Sequence, residues 1–208
     1  MMNKHYIIGD GQFALLLKNL FIDENIAKVN EIFFVTKKKI KKKNYISEND
    51  FLLIKEKTNV FIGVGSIDKR LDIIKKFNKK NYNFPNFISK SVNLMKKNII
   101  GRGNIILPNS IIQSPSKLQN YNIIGTGSII LHNSYIASNC IIGGGVSIGA
   151  GTKIGKNVFI GVGSTIASNT TSKNIEIGNY AFVCSGSVVL SSISSKSKVI
   201  GNPARKIL

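Results

Sequence analysis

One stretch decides how this chain folds: Ile124-Gly125-Thr126-Gly127-Ser128-Ile129-Ile130-Leu131-His132-Asn133-Ser134-Tyr135-Ile136-Ala137-Ser138-Asn139-Cys140-Ile141-Ile142-Gly143-Gly144-Gly145-Val146-Ser147-Ile148-Gly149. Isoleucine stands at 124, 130, 136, 142 and 148, a strict period of six. Outward from there the series extends back through Leu118, Ile112, Ile106, Ile100 and Leu94 to Ile88, and on through Ile154, Ile160 and Ile166. That makes fourteen consecutive aliphatic positions without an exception. The phase then slips by one residue and resumes at Ile177, Val183 and Val189. Neither a helix, with its period of 3.6, nor a half-buried strand, with its period of 2, demands such spacing.

Two more columns share the period. Glycine follows the aliphatic residue at 101, 125, 143, 149, 155, 161 and 178, and four residues after it stands a small or β-branched side chain such as Ser110, Ser128, Cys140, Val146 or Ser164. A strand-and-corner unit accounts for all three columns: the aliphatic points into a narrow core, the small residue packs beside it, and glycine permits turn geometry that a Cβ resists. Three units close a triangular coil, and stacked coils pair as parallel ladders. The pattern resembles the hexapeptide motif of the left-handed parallel β-helix. The left hand is implied by that resemblance, since crossovers ordinarily run right-handed. About five to six coils are expected between Ile88 and Val189, with Cys140 a packed thiol.

Residues 4–87 alternate differently. Tyr6-Ile7-Ile8 reads as a short strand ending in Gly9-Asp10-Gly11-Gln12, and a helix follows with Phe13, Leu16, Leu17 and Leu20 on one face. Ile32 to Val35 and Val60 to Gly65 read as further strands, Ser47-Glu48-Asn49-Asp50 as a helix start, and Arg70 to Lys80 as a helix carrying Leu71, Ile74 and Phe77. Alternating strands and helices indicate a small parallel α/β unit, Rossmann-like, over 1–87, with the all-β solenoid over 88–208. In such sheets ligands sit beyond the carboxyl ends of the strands, where Gly9-Asp10-Gly11 and Gly63-Val64-Gly65-Ser66 fall. A full GxGxxG is missing, so plain tight turns and a phosphate cradle both fit.

Composition narrows the function. The net charge of +19 comes from 29 basic and 10 acidic residues, but only Arg70, Arg102 and Arg205 are arginine. Lysine, with 35 isoleucines and 24 asparagines, is what an AT-rich coding sequence over-produces. A nucleic-acid reader relies more on arginine forks and stacking aromatics, so no nucleic-acid partner is expected. The densest run, Lys37-Lys38-Lys39-Ile40-Lys41-Lys42-Lys43, reads as a solvated loop. No apolar run reaches the ~18–20 residues of a membrane span, and the apolar stretch near the start is too short for a signal peptide. Cys140 and Cys184 form no disulfide framework, and a cytoplasmic protein without membrane insertion is expected.

Taken together, a small α/β unit with a glycine turn, a hexapeptide solenoid and a terminal Gly201-Asn202-Pro203-Ala204-Arg205 resemble the bacterial sugar acetyltransferases, a group holding UDP-amino-sugar N-acetyltransferases and sialic acid O-acetyltransferases. Val60 to Gly65 followed by Arg70, and Phe84-Pro85-Asn86-Phe87-Ile88, match the family's strand, turn and lead into the first coil. The resemblance implies an acetyl-CoA-dependent N-acetyltransferase acting on a nucleotide-linked amino sugar for surface glycan synthesis. O-acetylation of sialic acid or a related nonulosonate is the second reading, and a non-catalytic trimeric solenoid the third. It also implies a homotrimer. Only His5 and His132 exist, too few for the three-histidine zinc site of a carbonic-anhydrase-like solenoid, so no metal is expected. By the resemblance His132 is the catalytic base with Asn133 beside it. The sugar nucleotide would lie over Gly9, Asp10, Gly11, Gln12, Thr36, Lys37, Gly65 and Ser66, and acetyl-CoA along Ile141, Ala150, Val162, Ser185 and Gly186. A neutral imidazole suits the task, removing a proton from the attacking amine or hydroxyl and returning it to the leaving thiolate.

The chain departs from the family pattern in four places. Asn133 stands where an acidic residue often follows the histidine, and Ile141 where a second histidine often lies. Thr36-Lys37 replaces an acidic pair, which suits an anionic acceptor, and Gln12-Phe13 replaces glycine followed by a ring or histidine.

Overall fold

A computed structural model describes residues 4–54, 56, 58–77, 82–168 and 174–207. It divides into two compact units, Met1–Pro85 and Asn86–Leu208. No helix among the described residues is long and apolar enough to cross a membrane.

In the first unit the elements are β1 (His5–Ile8), α1 (Gln12–Asp23), β2 (Ile32–Thr36), β3 (Tyr45–Ser47), α2 (Glu48–Phe51), β4 (Thr58–Ile62), α3 (Ile67–Phe77) and β5 (Tyr82–Asn83). All five strands run parallel in the order β3-β2-β1-β4-β5. β1 is buried along its whole length, as a central parallel strand requires. α1 buries Ala14, Leu17 and Phe21 instead of the expected Leu16 stripe, and Leu16 is 42% exposed. The cause lies on the sheet: a Cβ at Gly63 would come within 2.7 Å of the Ala14 Cβ, so the helix seats its smallest side chain over the sheet's glycine. Ser47 caps α2, its hydroxyl oxygen accepting from the Asp50 N–H. α3 begins at Ile67, three residues before the expected start, and the last part of that expectation, residues 78–80, lies outside the described residues. Arg70 is fully buried, and its Nη1 donates to the carbonyls of Ile62 and Val64, 3.1 Å each, fixing the turn that leaves β4.

The second unit is a parallel β-helix of two-residue strands on three faces. The first face carries Phe87–Ile88, Ile105–Ile106, Ile123–Ile124, Ile141–Ile142, Phe159–Ile160 and Phe182–Val183, then Lys198–Ile200 and an antiparallel Arg205–Lys206. The second face has six strands from Asn93–Leu94 to Val188–Val189, and the third has five from Ile99–Ile100 to Glu176–Ile177. As far as Ile166 the pairing steps by eighteen positions, as Ile111 with Ile129 and Ile123 with Ile141. The second residue of each strand points inward, so Ile106, Ile124, Ile130, Ile142 and Ile160 are buried in one axial column with Cys140, Val146 and Val158.

Two sequence readings need correction. The glycines directly after the core aliphatics are not there for turn geometry. A Cβ at Gly143 would lie 2.7 Å from Val162 N, and one at Gly155 2.8 Å from Asn179 N, so these positions let one coil settle on the next. Left-handed backbone falls two residues later, at Gly127 (φ 67°), Asn133 (φ 59°), Gly145 (φ 65°), Asn157 (φ 58°) and Gly163 (φ 67°), where glycine and asparagine share the column. The phase slip, too, is an insertion: Lys153 pairs with Glu176 and Thr165 with Val188, so this coil holds 23 residues. Five residues more than eighteen shift a period of six by one. The slip is expected around Thr170 to Asn174, and of these residues all but Asn174 lie outside the described residues.

Corners are tied by amides. Asn86 Oδ1 accepts from Asn104 N (2.8 Å), Asn104 Oδ1 from Asn122 N (2.9 Å), and Asn122 Oδ1 from Cys140 N (2.8 Å), each bond joining one coil to the next. Where cysteine ends the row, Cys140 Sγ donates to Gly155 O at 3.0 Å.

Candidate functional site

Chemistry-bearing residues gather in two places. In the first unit a cleft of ≈ 740 Å³ opens at the carboxyl ends of β1, β2 and β4. Of the sequence-predicted residues it brings together Gly9, Asp10, Thr36 and Lys37. Gly11, Gln12, Gly65 and Ser66 flank the same strand ends without lining it, and a Cβ at Gly11 or Gly65 would meet nothing within 4 Å. Gly9 is where glycine is required, since its φ is 103° and a Cβ would lie 2.9 Å from Val64 Cγ2. Thr36 is buried, and its hydroxyl donates to Lys38 O at 2.7 Å, so it clamps the bend after β2.

Sequence reasoning missed the opposite wall, where Lys69, Asp72, Ile73 and Lys76 of α3 face the cleft. Their spacing is that of one helix stripe, and this was the available signal. Glu48, from α2, pairs with Lys76. Lys38 and Lys39 also line the cleft, so part of the run read as a solvated loop belongs to a site.

The second place is a corner of the solenoid. His132 follows the Ile129–Ile130 strand and is exposed. Its backbone is held from both sides, Gly151 N donating to His132 O at 3.0 Å and Asn133 N to Pro115 O. Beneath it Leu131 O accepts from Ser134 Oγ at 2.7 Å and Ser116 Oγ at 3.2 Å. Asn133 takes the left-handed backbone that the corner demands, and its amide Nδ2 lies 3.1 Å from His132 Nδ1. A half-turn of that amide exchanges nitrogen for oxygen at the ring. With the oxygen inward Asn133 accepts Nδ1–H, and Nε2 keeps a bare lone pair directed outward.

The expected coenzyme positions divide between corners. Ala150 lies eighteen residues beyond His132, on the next coil of the same corner, ~5 Å along the axis. Val162, Ser185 and Gly186 sit on the corner at the opposite edge of the second face, two and three coils on. Ile141 is a strand residue, 7% exposed, and its N–H donates to Val158 O. The N–H groups of Ala150 and Gly186 are also committed, to Ser168 Oγ and Val162 O. Those of Val162 and Ser185 find no partner among the described residues, and Val162 is 61% exposed.

His5, the other histidine, is a core residue of β1 packed edge-on against Phe21, with a buried Nδ1 that has no hydrogen-bond partner among the described residues. Burial pushes its pKa down from the ordinary 6.5, with Glu31 opposing.

No protein-family model matches the chain, and no curated protein does. Solved structures do match over the full length. The acetyltransferase domain of PglB from Neisseria gonorrhoeae, in complex with acetyl coenzyme A, superposes with a TM-score of 0.87 at 21% identity, covering 100% of both chains. PerB from Caulobacter crescentus, in complex with CoA and GDP-perosamine, gives 0.87 at 19% identity over 99% of this chain and 98% of that one. WeeI from Acinetobacter baumannii gives 0.77 at 23% identity over 98% and 99%. The chain therefore shares one two-part fold with these proteins from end to end.

Proposed function

We propose that this chain is an acetyl-CoA-dependent N-acetyltransferase acting on a nucleotide-linked amino sugar in surface glycan synthesis, with His132 as general base. The observation that carries the reading is an exposed imidazole at a solenoid corner, braced at Nδ1 by Asn133, on a fold shared with proteins solved with acetyl-CoA and with CoA and GDP-perosamine. On this reading the first unit is Rossmann-like and holds the sugar nucleotide, which its strand order supports. The solenoid is left-handed and trimerises, so that the histidine corner of one subunit meets the coenzyme corner of its neighbour. The open N–H groups of Val162 and Ser185 suit the coenzyme's amide carbonyls. The enzyme works in the cytoplasm.

The chemistry follows from the corner. The acceptor amine attacks the thioester carbonyl as His132 Nε2 removes its proton, and a C–N bond forms. The tetrahedral intermediate collapses, the C–S bond breaks, and the imidazolium returns the proton to the thiolate, leaving N-acetyl sugar and CoA. The thioester is already activated, so no acyl-enzyme is required. Backbone N–H groups near the corner would hold the developing oxyanion.

A specific observation keeps O-acetylation of a sialic-acid-like acceptor in view, namely the lysines Lys37, Lys38 and Lys39 at the cleft. A panel of nucleotide-linked amino sugars and sialic acids, scored by released CoA thiol, separates the two. His132→Ala is expected to lower kcat at least about a hundredfold with the assembly intact. Wild-type turnover in that variant would show that His132 is not the base.

A further inference from the structure

The cleft of the first unit is unusual in what lines it. Among the described residues, no aromatic ring and no Asn or Gln side chain is present there. Aromatic rings stack on a base and side-chain amides pair bidentately with adenine, so neither of these two modes of reading is provided by the lining side chains. The one lining hydroxyl, on Thr36, is spent on Lys38 O. What remains is an aliphatic floor, including Val35, Ile40, Val64 and Ile73, beneath a cationic rim. Lys76 is paired with Glu48, which leaves Lys37, Lys38, Lys39 and Lys69 against Asp10 and Asp72.

We infer that this cleft holds its nucleotide by charge and does not read the base. The inference rests on the nucleotide-linked acceptor proposed above and deepens it. Lysine ammoniums are point charges that follow a diphosphate in any rotamer, unlike the fixed fork of arginine. Aliphatic side chains pack on the face of any base without telling one from another. Carboxylates such as Asp10 and Asp72 accept from ribose hydroxyls, which every ribonucleotide shares. Affinity then comes from the phosphates and falls with salt.

The test is calorimetric titration of the full chain with UDP, CDP, ADP and GDP, in saturating coenzyme A so that the coenzyme groove is filled. The four dissociation constants are expected to agree within roughly threefold and to rise together with added salt. Lys37→Ser, Lys38→Ser and Lys39→Ser combined should weaken all four by roughly tenfold, and Lys69→Gln alone by less, with thermal melting unchanged. A tenfold preference for one base, or undiminished affinity in the triple variant, overturns the inference while leaving the acetyltransferase reading intact. Failure of all four to bind removes the nucleotide-linked acceptor and this inference with it, whereas acetyl transfer to free sugars still reports on the enzyme.

Discussion

At the scale of single residues, Asn133 stands out because it serves two demands at once. Its left-handed backbone closes the corner, and its amide braces the imidazole. Asn133→Gly keeps the first and removes the second, so it separates them: kcat is expected to fall roughly tenfold with KM for acetyl-CoA unchanged, as measured by thiol release. Asn133→Asp restores an acceptor at Nδ1 and should recover most of that loss. His5 gives a prediction of another kind. Its folded pKa lies below the unfolded value of 6.5, so the unfolded chain binds the extra proton first. The associated stability is therefore present above about pH 6.5 and drains away as the pH falls below it. Melting of the full chain at pH 7.5 and 5.5 should show the loss, and His5→Phe, which suits a site beside Phe21 and Phe61, should reduce it. His132 was legible as a candidate because histidine is so scarce. The tie from Thr36 to Lys38 was not, since a hydroxyl's partner depends on a bend that no periodicity records.

Among elements, the glycine columns make the sharpest contrast. Gly143→Ala drives a Cβ into the coil above and is expected to cost about 1–3 kcal/mol by overpacking. Gly127→Ala meets empty space and costs only the left-handed penalty, roughly 1–2 kcal/mol, which Gly127→Asn should largely recover. Urea unfolding of the full chain measures all three. From the sequence the two columns look alike, because glycine answers both to tight stacking and to left-handed turns. The period of six was legible because each aliphatic of the series enters one axial column, and the chain cannot slip without exposing it. β3 and β5 were not: each is two or three residues long at a sheet edge, too short for alternation to register. The α1 face was misjudged by one residue because helical spacing alone does not say that Gly63 waits opposite Ala14.

For the whole molecule, the trimer is a prediction about mass. Light scattering on the eluting protein should return about three chain masses, and a monomer would leave the corner imidazole without the neighbouring groove that the mechanism assigns it. The insertion between Ile166 and Glu176 limits how far positions carry over: beyond it every corner residue moves by five relative to a regular winding, so Ser185 stands twenty-three residues, not eighteen, beyond Val162 at the same corner. The row Asn86, Asn104, Asn122 has a direction, since in every bond the earlier coil supplies the oxygen and the later coil the N–H. Along the strands the sense is reversed, Phe87 N donating to Asn104 O and Ile105 N to Asn122 O, so each coil offers its successor both a donor and an acceptor and neither end of a coil is left as a one-sided polar face.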